Sequence, residues 1–284
     1  MVTAPEHIVV GAGVQMLLEI LCVLLKGRRT VSFPDGSFVQ GSTVFAAHGY
    51  TVRTRYKDAD IIYVSPSHMN RQGDVMPIQR RLELCAHSAD TGAVVIEDDF
   101  ENDFLYSSTP TPSLYALGSG NVVYMGAFSA LLLPGIRISF MVLSPALAAA
   151  YHQMKDTFAQ TASKTEQIAL CAYLRDGNMK SRTKKIRRLY TGKAKTLCAL
   201  LAKALPDHPV RVGENGLQVQ IETPMLPDSA PFEQAGLALY IVKEKSGKNI
   251  VVVSPSAVPA DRLEEAAHAV AAALYKAEEA AKAK

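Results

Sequence analysis

Two short stretches of this sequence combine residue types and spacing that could do chemistry. In the first, Ile8-Val9-Val10 runs into Gly11-Ala12-Gly13, and a helical pattern begins at once with Val14. A tight glycine turn lets backbone N–H groups approach an anion closely, and the positive end of the following helix points at the same place. A merely compact strand-to-helix connection would use the same glycines. In the second stretch, Val94-Val95-Ile96 ends in three acids, Glu97-Asp98-Asp99. Adjacent carboxylates repel, so acids at the end of a buried strand need a partner or water. Open α/β sheets bind ligands at that edge, while solvated strand ends or a helix cap would leave the same letters. A third stretch, Lys180–Lys195, is rich in basic residues, among them Arg182, Lys184, Lys185, Arg187 and Arg188. It invites a nucleic-acid reading, but Tyr190 is its only aromatic residue, and a solvated helix face is the reading adopted.

The elements that must carry these residues alternate in type. Strand-like runs are expected at Ile8–Val10, Thr30–Phe33, Tyr50–Arg53, Ile61–Val64, Ala93–Ile96, Val122–Met125 and Ile138–Leu143, several of them continuously apolar. Helices are expected at Val14–Leu25, Phe38–His48 and Pro77–Ser88, the last with proline at its start. This alternation implies an α/β fold: a mostly parallel sheet sandwiched by helices, with both faces covered. After Ser144-Pro145 the pattern changes. Long helices over 146–173 and 179–204 precede strands at Val210–Val212, Leu217–Glu222, Ala238–Val242 and Ile250–Val253, and a helix from Ala260. Asp228–Gly236 reads as a loop. The expected division is a large domain over 1–144, then linking helices and a small α+β domain over 145–284.

Composition is that of a globular protein: 48% hydrophobic, 20% charged and a formal net charge of +3 over 284 residues. That charge is too small to imply a nucleic acid or membrane partner on its own. No apolar run reaches the roughly 18–20 residues of a bilayer span, and no secretory leader is evident, so a cytoplasmic location is expected. Cys22, Cys85, Cys171 and Cys198 lie far apart in apolar helical patterns, read as buried free thiols with no metal-ligand spacing.

Three blocks, in this order, carry a resemblance. They are Ile8–Gln15, Val94–Tyr106 and Val122–Arg137, supported by Ser65-Pro66-Ser67-His68, Met76-Pro77 and Arg187-Arg188-Leu189-Tyr190. Together they resemble the fold-type-I aminotransferases, specifically the aminotransferase-like effector domain of MocR regulators in the GntR superfamily. The resemblance implies the large domain of aminotransferase class I/II and the cofactor pyridoxal phosphate (PLP). Gly13, Val14 and Gln15 would hold its phosphate, and Asp98 would face the pyridine nitrogen, keeping the ring protonated. The motif Gly-Thr-Phe-Ser-Lys, with an arginine seven residues after the lysine, is met by Gly126, Phe128, Ser129 and Arg137. A guanidinium grips a phosphate in a bidentate way, or serves a structural salt bridge. His68 would stack on the ring or bond a loop backbone, and Asn70 would supply the amide for the PLP oxygen. A homodimer is implied. The winged helix-turn-helix of such regulators has no counterpart here, so no DNA-binding domain is expected in this chain.

The departures bear on function. The lysine that forms the internal Schiff base and shuttles the proton is Ala130, which has no amine. Ala127 replaces a threonine near the phosphate, Phe100 a tyrosine after Asp98, and Phe38 the tyrosine of the Asp-Pro-Gly-Tyr turn. Several polar contacts have become apolar together, which one engineered substitution would not do. The reading is therefore a degenerate domain with no catalytic residue. It binds PLP or a PLP–amino acid adduct noncovalently, or a partner, with transamination lost. The alternatives are an active aminotransferase whose lysine at 130 was replaced by engineering, and a structural or interaction module that keeps only the fold.

Overall fold

The computed structural model describes residues 3–70, 72–99, 111–118, 120–129, 131–243 and 247–282. The chain forms two compact units.

The first unit comprises Met1–Met69, Met76–Asn102 and Thr109–Arg182. Its elements are β1 (Ile8–Gly11), α1 (Val14–Leu24), β2 (Thr30–Phe33), α2 (Val39–Ala47), β3 (Thr51–Thr54), β4 (Ile61–Val64), α3 (Ile78–Thr91), β5 (Val94–Asp98), α4 (Leu114–Leu117), β6 (Val122–Ala127), β7 (Ser139–Val142), α5 (Pro145–Met154) and α6 (Lys164–Arg175). The seven strands lie in the order β1-β7-β6-β5-β4-β2-β3. Pairing is parallel from β6 through β5, β4 and β2 to β3, and antiparallel where β7 meets β6 and β1. The expected mostly parallel, helix-covered sheet is therefore the one observed.

Strand alternation sorts side chains between the two faces. Val9, Ile61, Tyr63, Val94, Ile96, Val123, Met125 and Met141 turn to one face and pack with Leu17, Leu18 and Leu21 of α1 and Phe45 of α2. Full burial of such leucines contributes about 1.5–3 kcal/mol each. Val95 and Val122 turn to the other face, against Leu84 and Cys85 of α3 and Leu114 of α4.

The first unit runs past the expected break at 144/145. Ala148 joins its core, with Leu147, Tyr151 and Phe158 packed against it, so the helical segment to Arg182 belongs there. The helical stretch expected over 146–173 comprises two helices. It breaks after a turn at Lys155–Thr157, and α6 restarts at Ser163, whose hydroxyl accepts the amide of Glu166. A serine followed three residues later by glutamate is an N-terminal signal.

The second unit comprises Asn70–Val75, Asp103–Ser108 and Thr183–Lys284. Helix α7 (Asn178–Ala204) leads into it, followed by β8 (Val210–Val212), β9 (Val219–Thr223), α8 (Ala230–Gln234), β10 (Tyr240–Lys243), β11 (Asn249–Val253) and α9 (Leu263–Lys282). The sheet is antiparallel, in the order β10-β11-β9-β8. Its core joins Leu197 and Leu201 of α7, Val219, Ile221, Phe232 and Val251 to Ala267, Val270 and Leu274 of α9. The stretch read as a loop at Asp228–Gly236 holds α8, begun by Pro231 near its start and by Asp228 accepting the amide of Ala230 at 3.0 Å. Among the described residues, no helix is long and apolar enough to cross a membrane, and no cluster of metal ligands occurs. Cys22 and Cys85 are buried as expected, Cys198 is half-buried, and Cys171 is exposed because α6 buries only Leu170.

Candidate functional site

Register brings the first-unit candidates to one edge of the seven-stranded sheet. Gly11 at the end of β1 stands opposite Ser139, which stands opposite Ala127 at the end of β6. Met125 of β6 in turn faces Asp98 at the end of β5. The connection from β6 to β7 therefore starts and finishes at this edge, and it carries Ser129 and Arg137. The amide of Phe128 donates to Ile138 O at 3.0 Å, closing that loop at its base.

Gly13 is the N-cap of α1, with φ 93° and ψ 164°, and no side chain caps the helix. Such backbone is essentially restricted to glycine. The amides that follow, Val14 and Gln15 among them, lie in the first turn and have no intrahelical acceptor. Arg137 sits directly against this helix start. An ideal Cβ at Gly13 would lie 2.3 Å from Arg137 Nη2, so glycine is required for space as well as for conformation. Arg137 itself holds left-handed backbone, φ 45° and ψ 33°. A guanidinium and uncapped helix amides beside each other form a strongly anion-attracting cradle. Thr161, from the break between α5 and α6, steadies the turn by accepting the amide of Ala12 on Oγ1 at 3.0 Å. The Ser129 hydroxyl oxygen is buried without a hydrogen-bond partner among the described residues. Arg182 Nε and Nη2 donate to the carbonyls of Leu131 and Leu132 at 3.0 and 3.2 Å and fix the backbone beyond it.

The acid run divides by strand alternation. Asp98 shares the face of Tyr63 and Ile96, and the Tyr63 hydroxyl donates to Asp98 Oδ2. Burial first, and then the charge and hydrogen bond of Asp98, raise the Tyr63 pKa well above the usual phenol range, so Tyr63 keeps its proton to donate. Glu97 turns to the opposite face, where it is fully buried and accepts the amides of Leu114 and Tyr115 at 2.8 and 2.9 Å. It is thus a carboxylate cap of α4, with Arg81 Nη1 at 3.9 Å. Burial pushes its pKa up to about 7, against the opposing pull of the two amides and Arg81. Asp99 Oδ2 accepts the Tyr124 hydroxyl at 3.2 Å. Of the three acids, Asp98 alone lies on the same sheet face as the packing residues of α1.

Phe38 precedes α2 and lies 5.3 Å from the Tyr63 ring, centroid to centroid, with Gly41 leaving room beneath it. It extends the aromatic wall of Phe33 and Tyr63 that ends at Asp98. His68 is half-buried, and its amide donates to Ser65 O at 3.1 Å to close the Ser65–His68 turn. Asn70 belongs to the second unit. Its amide group donates to Gln72 Oε1 and Asp74 Oδ2, and its oxygen accepts the amides of Gln72 and Asp74. All four hydrogen bonds of that side chain are used within its own turn, which leaves nothing for a ligand. Phe100 and Ala130 lie outside the described residues. Sequence reasoning passed over Tyr63 and Thr161, and read Arg182 only as part of a basic stretch. A phenol in a buried strand must find an acceptor, and that requirement was the available signal for Tyr63.

A glycine at an uncapped helix start, an arginine and a buried carboxylate lie along one edge of this α/β sheet. The sequence model described as aminotransferase class I and II matches residues 55–261, and the chain belongs to that family. Among curated relatives, the uncharacterized HTH-type transcriptional regulator YdeL of Bacillus subtilis is 29% identical over 88% of this chain and 55% of its own length. The probable rhizopine catabolism regulatory protein MocR of Rhizobium meliloti is 28% identical over 77% of this chain and 47% of its own. The chain thus spans about half the length of these relatives. Among solved structures, LysN, an α-aminoadipate aminotransferase of Thermus thermophilus complexed with N-(5'-phosphopyridoxyl)-L-leucine, superposes with a TM-score of 0.77 over 98% of this chain and 79% of its own. At 22% identity that likeness shows the fold alone.

Proposed function

We propose that this chain is the aminotransferase-like effector module of a cytoplasmic transcriptional regulator, which holds PLP or a PLP–amino acid adduct without a covalent bond. Support comes first from Arg137 lying against the bare Cα of Gly13 at the uncapped start of α1, on the same sheet edge as Asp98. The regulators among its relatives, the family's cofactor and the phosphopyridoxyl group carried by LysN agree with it. The residues fit the cofactor. Val14 and Gln15 amides, Arg137 and the Ser129 hydroxyl would hold the phosphate. Asp98, held in place by Tyr63, would pair with the ring nitrogen, and Phe38 would close the wall beside Tyr63. When bound, PLP supplies an electron-accepting ring. Asp98 would keep the ring nitrogen protonated and Tyr63 would keep Asp98 oriented. With Ala130 at the lysine position, the chain offers no amine there to take a proton or capture a carbonyl. A homodimer completes the proposal.

The test is a PLP titration followed by absorbance, then borohydride reduction and mass spectrometry. The parent chain should bind PLP saturably and give no fixed adduct, whereas A130K should become fixed at position 130. Failure to bind PLP refutes the cofactor reading, and a fixed adduct on the parent refutes the noncovalent one.

A further inference from the structure

Helix α7 carries nine lysines and arginines and no acid across Asn178–Ala204. The whole chain has 30 basic and 27 acidic residues, so everything outside this helix holds 21 against 27 and is net acidic. The positive charge of the molecule is concentrated in one element.

Within the second unit, five of its seven cations share one side. At about 100° per residue, Lys184, Lys185, Arg188, Lys195 and Lys203 project within an arc of roughly 100°, and all five are exposed. Gly192 and Ala199 fall in the same arc, so the strip between the cations is low. The buried residues Ala194, Leu197 and Leu201 occupy the far side and pack into the second unit's core. The face runs about 28 Å from Lys184 to Lys203 at ~1.5 Å per residue.

This placement opposes helix stability. Lys184 and Arg188 are like charges four residues apart and Lys185 and Arg188 three apart, pairs that repel on a helix. Among the described residues, Lys184, Lys185 and Arg188 have no ion-pair partner within 4.0 Å. A solvated helix face usually interleaves both signs, and this one does not.

We propose that the Lys184–Lys203 face of α7 binds the phosphate backbone of duplex DNA without reading sequence, an inference that rests on the regulatory reading above. A DNA duplex offers a negative charge per ~1.7 Å and matches an elongated strip of cations. An anionic membrane is the poorer match: a basic amphipathic helix holds a bilayer through its apolar face, and that face of α7 is already covered.

The test uses the 284-residue chain without PLP, so its outcome is independent of cofactor binding. Fluorescence anisotropy is measured on a labelled duplex of arbitrary sequence, roughly 20 base pairs long, across a salt series. Binding should weaken steeply with salt. The triple variant K184Q/K185Q/R188Q should lose at least ~10-fold in affinity at low salt, and its log–log salt slope should shrink by about 3, near one per cation removed. If the triple variant does not fold, K184Q, K185Q and R188Q are measured singly, each expected to lower the slope by about 1. No duplex binding at low salt overturns the proposal, as does an unchanged slope in the variants. Tighter binding to phosphatidylserine vesicles than to the duplex overturns it as well.

Discussion

Replacing Gly13 by alanine tests the anion cradle most directly, because one methyl group acts on both its parts. The backbone at Gly13 lies at φ 93° and ψ 164°, where a side chain costs about 1–3 kcal/mol. For a domain of this size, that lowers Tm by very roughly 2–12 °C. The new Cβ would also fall 2.3 Å from Arg137 Nη2, so the guanidinium must leave the helix start. A hydrogen bond to a charged group is worth about 1.5–3 kcal/mol, so loss of the arginine's grip should weaken PLP about 10- to 150-fold. Pyridoxal, which lacks the phosphate, separates grip from general damage. Absorbance titrations of both ligands should show that the parent prefers PLP and that G13A loses most of that preference, with R137A behaving alike. If G13A binds PLP as tightly as the parent, or weakens PLP and pyridoxal equally, the cradle does not read the phosphate and the reasoning fails.

Three further outcomes follow from single side chains. Removing the Thr161 acceptor by T161V should cost about 0.5–1.5 kcal/mol of stability and weaken PLP more than pyridoxal, since the Ala12 amide loses its partner. Y63F takes away the donor to Asp98 and should cost about 1–3 kcal/mol in urea unfolding; an unchanged midpoint would show that Asp98 does not depend on it. Glu97 has a folded-state pKa near 7, above its ordinary value of 4.5, so it binds a proton more readily folded than unfolded. Its contribution is therefore fully present below pH ~4.5 and is lost as pH rises through about 7, to the extent of about 3 kcal/mol. Urea unfolding at pH 5 and pH 8 should show the parent losing about 2.5 kcal/mol more than E97Q, and equal losses in the two proteins would refute it.

Apolar patterning carried most of the sheet's elements, because continuous runs such as Ile61–Val64 and Val94–Ile96 have few alternatives to a strand covered on both faces. Helix breaks were less legible. The stretch 146–173 keeps helical composition throughout, and only the serine cap at 163 marks the restart. The domain limit followed packing that no local signal at Ser144-Pro145 announces, since Ala148 meets partners far away in sequence.

At the site, the glycine turn was legible because its chemistry is local: helix start, bare Cα and amides all arise from adjacent residues. The acid run was legible as a cluster but not as roles. Alternation sends Glu97 to cap α4 and leaves Asp98 with Tyr63, so two neighbouring carboxylates do unrelated work. Arg137 falls between these cases. Its spacing matched the motif, yet its meaning depends on β1 lying beside β7, which puts residue 13 against residue 137. The preserved cradle and the alanine at 130 then have different standing. Gly13 and Arg137 constrain each other sterically, so losing either would disturb a packed contact, whereas an alanine in place of a lysine removes an amine and asks nothing of Gly13. On the proposed reading, the fold sheds covalent chemistry at one residue while keeping a phosphate grip that needs two.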